Sequence, residues 1–236
     1  MAMGRHSSSE GASALLRQIP LFEGLEPHIL ERTAGYLHLR NVERGQWVLR
    51  KGNSGDQLLF LLSGQLQVVD VTEAGRDVGL NFLLPGDYFG ELSVIDGLPR
   101  TASVVATANS QIAALPRAQA LELFYHQPLV AERVLMRMAK SIRRASDYRS
   151  ILAIPNAFQR VYAFLHQMKT VAPGGLTVIE RLPTQQEMAI MINTSRETVS
   201  RAMQILNQKG VVEKDLRRLI VRKPDVLKIA ISNLDF

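Results

Sequence analysis

Five polar residues near the C-terminus, Arg196, Glu197, Ser200, Arg201 and Gln204, fall on one side when residues 196–208 are wound as a helix. With Arg196 at zero and about 100° per residue, the other four lie between roughly 40° and 140°. Val199, Ala202, Met203 and Leu206 lie between about 240° and 340°. One side is apolar; the other carries two guanidiniums, a carboxylate, a hydroxyl and an amide. These groups match base edges in a major groove. Arg pairs with guanine O6 and N7, and Glu accepts from cytosine N4. Thr184, Gln186 and Ser195 add hydroxyl and amide groups suited to backbone phosphates. The plainer reading is a solvated helix face.

No catalytic chemistry competes with this face. The histidines His6, His28, His38, His126 and His166 are scattered and lack metal-ligand spacing. Gly-x-Ser-x-Gly, Walker-type and Gly-x-Gly-x-x-Gly patterns do not occur. Cysteine is absent. That removes disulfides, thiolate-held haem, cysteine-ligated iron–sulfur clusters and the usual structural zinc. The expectation is a non-enzymatic protein with no metal site and no required cofactor.

The elements that must hold the polar face are legible. Thr184-Gln185-Gln186-Glu187 has the form of a capping box, with a hydroxyl at the N-cap and a carboxylate three residues on. It opens a short helix through Met191, which Asn193 breaks. Thr194-Ser195-Arg196-Glu197 has the same form and opens a helix to Lys209, stopped by Gly210. Two capped helices joined by a short turn make a helix-turn-helix. Residues 211–213 and 219–221 predict a hairpin after it. Upstream, residues 156–170 predict a helix and Pro173-Gly174-Gly175 a loop.

Residues 128–152 contain no Gly or Pro beyond Pro128 and predict one long helix. Leu135, Met138, Ile142, Ala145, Arg149 and Leu152 follow the 3-4 spacing of a two-stranded coiled-coil seam. Arg133, Arg137, Lys140, Arg143 and Arg144 charge the other face. A homodimer through this helix follows. Ile154-Pro155-Asn156 breaks the helix and predicts a hinge.

Nine of the sixteen glycines fall in residues 45–97. Short apolar or alternating runs stand at 47–49, 58–62, 66–71, 78–84, 102–106 and 111–115. Such strands, parted by turn residues, predict a β-barrel or jelly roll. Short helices are expected at 13–18, 27–36 and 117–124. The first residues, with Ser7-Ser8-Ser9, lack an apolar core and read as a disordered tail rather than a signal peptide. No run of about 18 apolar residues occurs, so no membrane span is expected. The lack of cysteine fits a cytoplasmic setting. Residues 155–236 hold 12 Lys+Arg against 7 Asp+Glu, most of the overall net charge of +6. That bias suits a polyanionic partner.

Ser195-Arg196-Glu197-Thr198-Val199-Ser200-Arg201 resembles the recognition helix of the CRP/FNR family (cyclic-AMP receptor protein type), and the hairpin resembles that family's wing. The resemblance implies that Arg196, Glu197 and Arg201 read a TGTGA-like half-site. It implies a palindromic operator in double-stranded DNA, two subunits, and RNA polymerase as a partner if the protein is an activator. Phe89-Gly90-Glu91-Leu92-Ser93 through Pro99-Arg100-Thr101-Ala102-Ser103-Val104 resembles the phosphate-binding cassette of cyclic-nucleotide-binding domains. It implies that Gly90, Glu91, Leu92, Ser93, Arg100 and Thr101 hold a ribose and a cyclic phosphate. Arg100 would face the phosphate and Glu91 the ribose 2′-hydroxyl. The Gly52-x-x-Gly55-Asp56 and Ser63-Gly64 turns match the same pattern.

On the long helix, the family's two adjacent adenine-contacting hydroxyls fall at Ala145 and Ser146, so one hydroxyl is lost. Arg149 stands on the seam, where the family has an apolar residue. Ser146 and Arg149 join the expected ligand site. Cyclic AMP is the first effector expected; cyclic GMP and cyclic di-GMP are alternatives, the last because Arg reads guanine. A ligand-independent regulator of the same fold is a further alternative. A nucleotide-binding regulatory subunit acting on a protein partner is the rival from another class.

The expected fold is α+β. A tail at 1–13 leads to a cyclic-nucleotide-binding-type β-roll (jelly roll) at 14–127. A dimerisation helix at 128–154 and a winged helix-turn-helix DNA-binding domain at 155–236 follow. Ligand would set the coil near residues 142–152, and the hinge at Pro155 would turn the two winged helices toward successive major grooves about 34 Å apart.

Overall fold

The computed structural model describes residues 13–71, 77–216 and 218–233, so the expected tail lies outside it apart from Ser13. The chain divides between Lys140 and Ser141 into two compact units. The first is a β-roll of two antiparallel four-stranded sheets, ordered β1-β8-β3-β6 and β2-β7-β4-β5. Its strands are β1 (His38–Val42), β2 (Trp47–Leu49), β3 (Gln57–Ser63), β4 (Leu66–Val71), β5 (Asp77–Leu83), β6 (Tyr88–Phe89), β7 (Ser103–Ala106) and β8 (Ser110–Pro116).

The apolar run on β3 follows from its place in the middle of its sheet. Side chains alternate across a strand. Leu58 and Phe60 enter a core on the helix side, and Leu59 and Leu61 enter the core between the sheets. On β8, Ala113 and Leu115 take the first side while Ile112 and Ala114 take the second. Each fully buried Leu or Phe contributes roughly 1.5–3 kcal/mol. Both faces of these strands are thus occupied.

Helices α1 (residues 13–17), α2 (Pro27–Ala34), α4 (Arg117–His126) and the start of α5 (Pro128–Leu152) close the helix-side core. The short α3 (Glu91–Asp96) follows β6. β1 and β6 escaped the sequence pattern. Four of the five β1 residues are exposed, and β6 is two residues long. Neither shows an alternation.

The long helix has its expected bounds, but its charged face needs correction. Val130 and Val134 are buried in the β-roll core, with Met138 packed against it. This turns Arg133 and Arg137 inward. Arg133 donates to the Leu21 carbonyl at 3.0 Å and also to that of Glu23. The Arg137 guanidinium lies 4.2 Å from the centre of the Tyr88 ring. Long cationic side chains lay their stems on apolar surface and find carbonyls or rings for their heads. Leu135 and Ile142, both on the expected seam, are 65% and 68% exposed. The apolar seam is therefore open along this chain, with Met138 its one partly covered position.

The second unit packs α6 (Ala157–Met168), α7 (Gln185–Met191), α8 (Arg196–Gln208) and α9 (Pro224–Ala230) around one core. They join a small sheet ordered β11-β12-β10-β9, with β9 (Thr170–Val171), β10 (Thr177–Ile179), β11 (Val212–Asp215) and β12 (Arg218–Val221). The hairpin is present as expected. β9, β10 and α9 are additions to the sequence reading. Among the described residues, no helix is long and apolar enough to cross a membrane.

Candidate anion cassette and nucleic-acid interface

Arg100 is the centre of the cassette, and it is only 5% exposed. Its two terminal nitrogens donate to the carbonyls of Gly90 at 2.7 Å and Gln57 at 2.8 Å. It thus ties β3 to the entrance of α3. Burial lowers its pKa, while Asp56 and Glu91 act in the opposite sense. The third donor, Nε, is buried with no partner. A buried unmatched donor costs about 1–3 kcal/mol, more when charged. Such a group is positioned to receive an acceptor.

The backbone is shaped around this guanidinium. Gly90 caps α3 at a φ of 80°, and a Cβ there would collide with Arg100. A Cβ at Gly55 would collide with Ser93 and stand 2.8 Å from Arg100 Nε. Only glycine fits at either place. Ser93 is buried, Glu91 half-buried, and Leu92 and Thr101 are exposed. Gly90, Ser93 and Arg100 are therefore in one packed cluster, with Glu91 within electrostatic reach of it. The two terminal nitrogens of Arg100 bond these carbonyls rather than the Glu91 carboxylate. Arg100 also lines a cleft of about 330 Å³ with Trp47, Asn53, Asp56 and Gln57. Sequence reasoning assigned no ligand role to Gln57 or Asp56; the Gly55-Asp56 turn was its only signal. Ser146 and Arg149 lie exposed on α5 in the second unit, and the cassette is built within the first.

The helix-turn-helix forms from local rules. Thr184 Oγ1 accepts from the Glu187 amide at 3.2 Å, and the Glu187 carboxylate accepts from the Thr184 amide at 2.7 Å. The first capping box is thus complete. The second is corrected. Ser195, not Thr194, is the N-cap of α8 and accepts from the Thr198 amide at 3.1 Å. Asn193 adopts a φ of 49°, and the Thr194 amide closes onto the Ala189 carbonyl at 2.8 Å. That closure uses Thr194 in the turn and starts the helix one residue later. Glu197 becomes the second helical residue and cannot reach back as a box partner.

Asn tolerates this left-handed backbone; β-branched residues do not. Asn193→Val is expected to destabilise the second unit by about 1–3 kcal/mol, and Asn193→Gly by far less. Thermal unfolding of the two variants checks this. Equal melting temperatures would contradict it.

The face of α8 sorts as expected. Val199, Ala202 and Leu206 are fully buried. Arg196, Glu197, Arg201 and Gln204 are exposed, and Ser200 is half-buried. Thr184, Gln186 and Ser195 are exposed beside them in sequence. The Glu197 carboxyl is held below its ordinary range by its own backbone amide and the Ser195 hydroxyl, with Arg196 and Arg201 adding to the effect. It therefore stays an acceptor throughout neutral and mildly acidic solution.

A cyclic-nucleotide-type β-roll joined by a long helix to a winged helix-turn-helix defines a class of DNA-binding transcription regulators. Residues 39–127 match the cyclic nucleotide-binding domain family. Residues 159–229 match the Crp-like helix-turn-helix domain. The chain is 32% identical over 209 residues to the cyclic AMP receptor protein of Thermus thermophilus, covering 89% of this chain and 95% of that protein. It is 28% identical over 211 residues to a CRP-like cAMP-activated global transcriptional regulator of Mycobacterium tuberculosis, covering 88% and 94%. The crystal structure of the Thermus thermophilus catabolite activator protein superposes with a TM-score of 0.53 at 30% identity, covering 90% and 98%. The chain belongs to the CRP/FNR family of transcription regulators, and it is a CRP-like DNA-binding regulator with a cyclic nucleotide-binding domain.

Proposed function

We propose that the protein is a cytoplasmic homodimer whose affinity for a palindromic operator is set by a cyclic nucleotide in the β-roll, with cyclic AMP the first choice. The observation that carries the effector is the buried Arg100 guanidinium. It is fixed by two carbonyls, framed by two glycines, and left with an unmatched Nε donor. A cyclic phosphate supplies the missing acceptor and a charge that offsets the burial of the guanidinium. Gly90, Glu91, Leu92, Ser93 and Thr101 complete the cassette, with the Glu91 carboxylate accepting from a ribose hydroxyl. Ser146 and Arg149 are offered from α5 as contacts to the base.

The exposed seam residues Leu135, Ile142 and Leu152 support pairing through α5. Arg196, Glu197 and Arg201 face bases of a TGTGA-like half-site, Ser200 lies beside them, and Thr184, Gln186 and Ser195 face phosphates. RNA polymerase is the further partner if the regulator activates. Nucleotide shifts the DNA affinity only by its differential binding to two states of the dimer. Isothermal titration with cyclic AMP, cyclic GMP and cyclic di-GMP separates the candidates. Saturable heat from cyclic AMP alone is expected; heat from cyclic di-GMP alone would move the effector to the guanine alternative.

A further inference from the structure

The cleft beside Arg100 has an aromatic wall. Trp47 of β2 and Arg50, just after the strand, line it together with Arg100, Asn53, Asp56 and Gln57. Trp47 is the only tryptophan in the chain. It is half-buried, and the guanidinium of Arg50, an exposed residue, lies 4.8 Å from the centre of its ring. A cation over a ring at an exposed site is weakly held.

The strand is irregular at this point. Trp47 pairs with Val105 and Leu49 with Val104, so β2 carries one residue more than β7 across this step. Such a bulge bends a strand and re-aims its side chains, often beside a ligand site. Val48 enters the core between the sheets, while Trp47 and Leu49 border the cleft. The loop that follows is tied to the cassette. The Gly52 amide donates to the Arg100 carbonyl at 2.9 Å, and the Arg100 amide to the Asn53 carbonyl at 2.8 Å. The Arg117 amide holds the Asp56 carbonyl at 2.7 Å. A fixed space of about 330 Å³ is thus bordered by a buried cation and by the tryptophan.

We infer that Trp47 is the stacking platform for the base of the nucleotide whose phosphate meets Arg100, and that the base takes the place of the Arg50 guanidinium on the ring. The cleft joins two unlike needs. The unmatched Nε of Arg100 calls for an anionic acceptor, and the half-buried indole calls for a flat apolar partner. A nucleotide carries both on one small body. Bases stack on aromatic side chains more strongly than an exposed cation does, and stacking reads the ring face rather than its edges. It therefore favours a purine over a pyrimidine and leaves the choice between purines to edge contacts. The inference rests on the reading of Arg100 as the phosphate partner and adds the residue that selects the class of base.

Because Trp47 is the single tryptophan, tryptophan emission of the full-length protein reports this wall alone. Cyclic AMP and cyclic GMP are titrated in parallel by calorimetry and by fluorescence. Whichever gives saturable heat is expected to quench the emission with the same midpoint. Heat without any change in emission would overturn the platform and leave the role of Arg100 standing. No heat from either would remove a mononucleotide from the cleft, and the platform with it. Trp47→Leu is expected to weaken the binding nucleotide about tenfold, and Trp47→Phe, which keeps a ring, less than about threefold. The preference for that nucleotide over cyclic CMP, which shares its ribose and cyclic phosphate, is expected to narrow at least about threefold in Trp47→Leu. An unchanged affinity and preference in Trp47→Leu would overturn the platform. If Trp47→Leu does not fold, Trp47→Phe decides: a loss of about tenfold or more there would contradict a stacking role.

Discussion

Replacing Arg201 by Ala is expected to weaken binding to a TGTGA half-site by roughly 5- to 150-fold, the cost of about 1–3 kcal/mol for one bidentate base pairing. The fold should survive. Arg201 is exposed on α8, away from the buried stripe of Val199, Ala202 and Leu206. Ala is also the better helix former. The loss should be specific. Wild type is expected to prefer the operator over duplexes in which a half-site guanine is replaced, and the variant to lose that preference at one guanine alone. A phosphate-contacting residue behaves otherwise, weakening all duplexes about equally. Competition binding with each guanine substituted in turn checks this. A variant that keeps its full base preference would remove Arg201 from the readers.

Replacing Arg100 should act at the other end of the protein. Arg100→Ala deletes the proposed phosphate partner and is expected to lower cyclic AMP affinity at least about 30-fold, as for one side of a buried charge pair. It also leaves the Gly90 and Gln57 carbonyls without their donor, so some stability is lost with it. Arg100→Lys separates the two effects. It keeps the charge but not the planar fork, so the protein should fold with nucleotide affinity still reduced. Operator binding in the absence of nucleotide should be unchanged in Arg100→Lys, because the winged helix is untouched. Normal nucleotide affinity in both variants would show that the cassette is not the sensor.

The parts legible in the sequence were those fixed by short-range rules. The apolar run of β3, the first capping box and the sorted face of α8 depend on residues within a few positions of one another. So do the bounds of α5, set by Pro128 and the break at Pro155. What was misread depends on distant partners. Arg133 and Arg137 look like a solvated face until Leu21, Glu23 and Tyr88 arrive from elsewhere in the chain. Thr194 looks like a cap until Asn193 turns left-handed and the Thr194 amide donates to the Ala189 carbonyl. Arg160 gives no sequence signal at all, since its four acceptors are the main-chain carbonyls of Ile154, Pro155, Ile192 and Asn193. The cassette stands between these cases. Its glycines and Arg100 were visible as a pattern, but the packing of Gly55 and Gly90 on the guanidinium required the fold.

The central claim is that a nucleotide in the β-roll gates DNA binding by the winged helix. Fluorescence anisotropy of a labelled duplex with two inverted TGTGA half-sites, titrated with protein with and without saturating cyclic AMP, tests it directly. A gain in affinity of tenfold or more is predicted, which needs about 1.4 kcal/mol of differential nucleotide binding between the two states. Two chains should bind per duplex, and a scrambled duplex should show no gain. Identical affinity with and without cyclic AMP, cyclic GMP and cyclic di-GMP would contradict the claim.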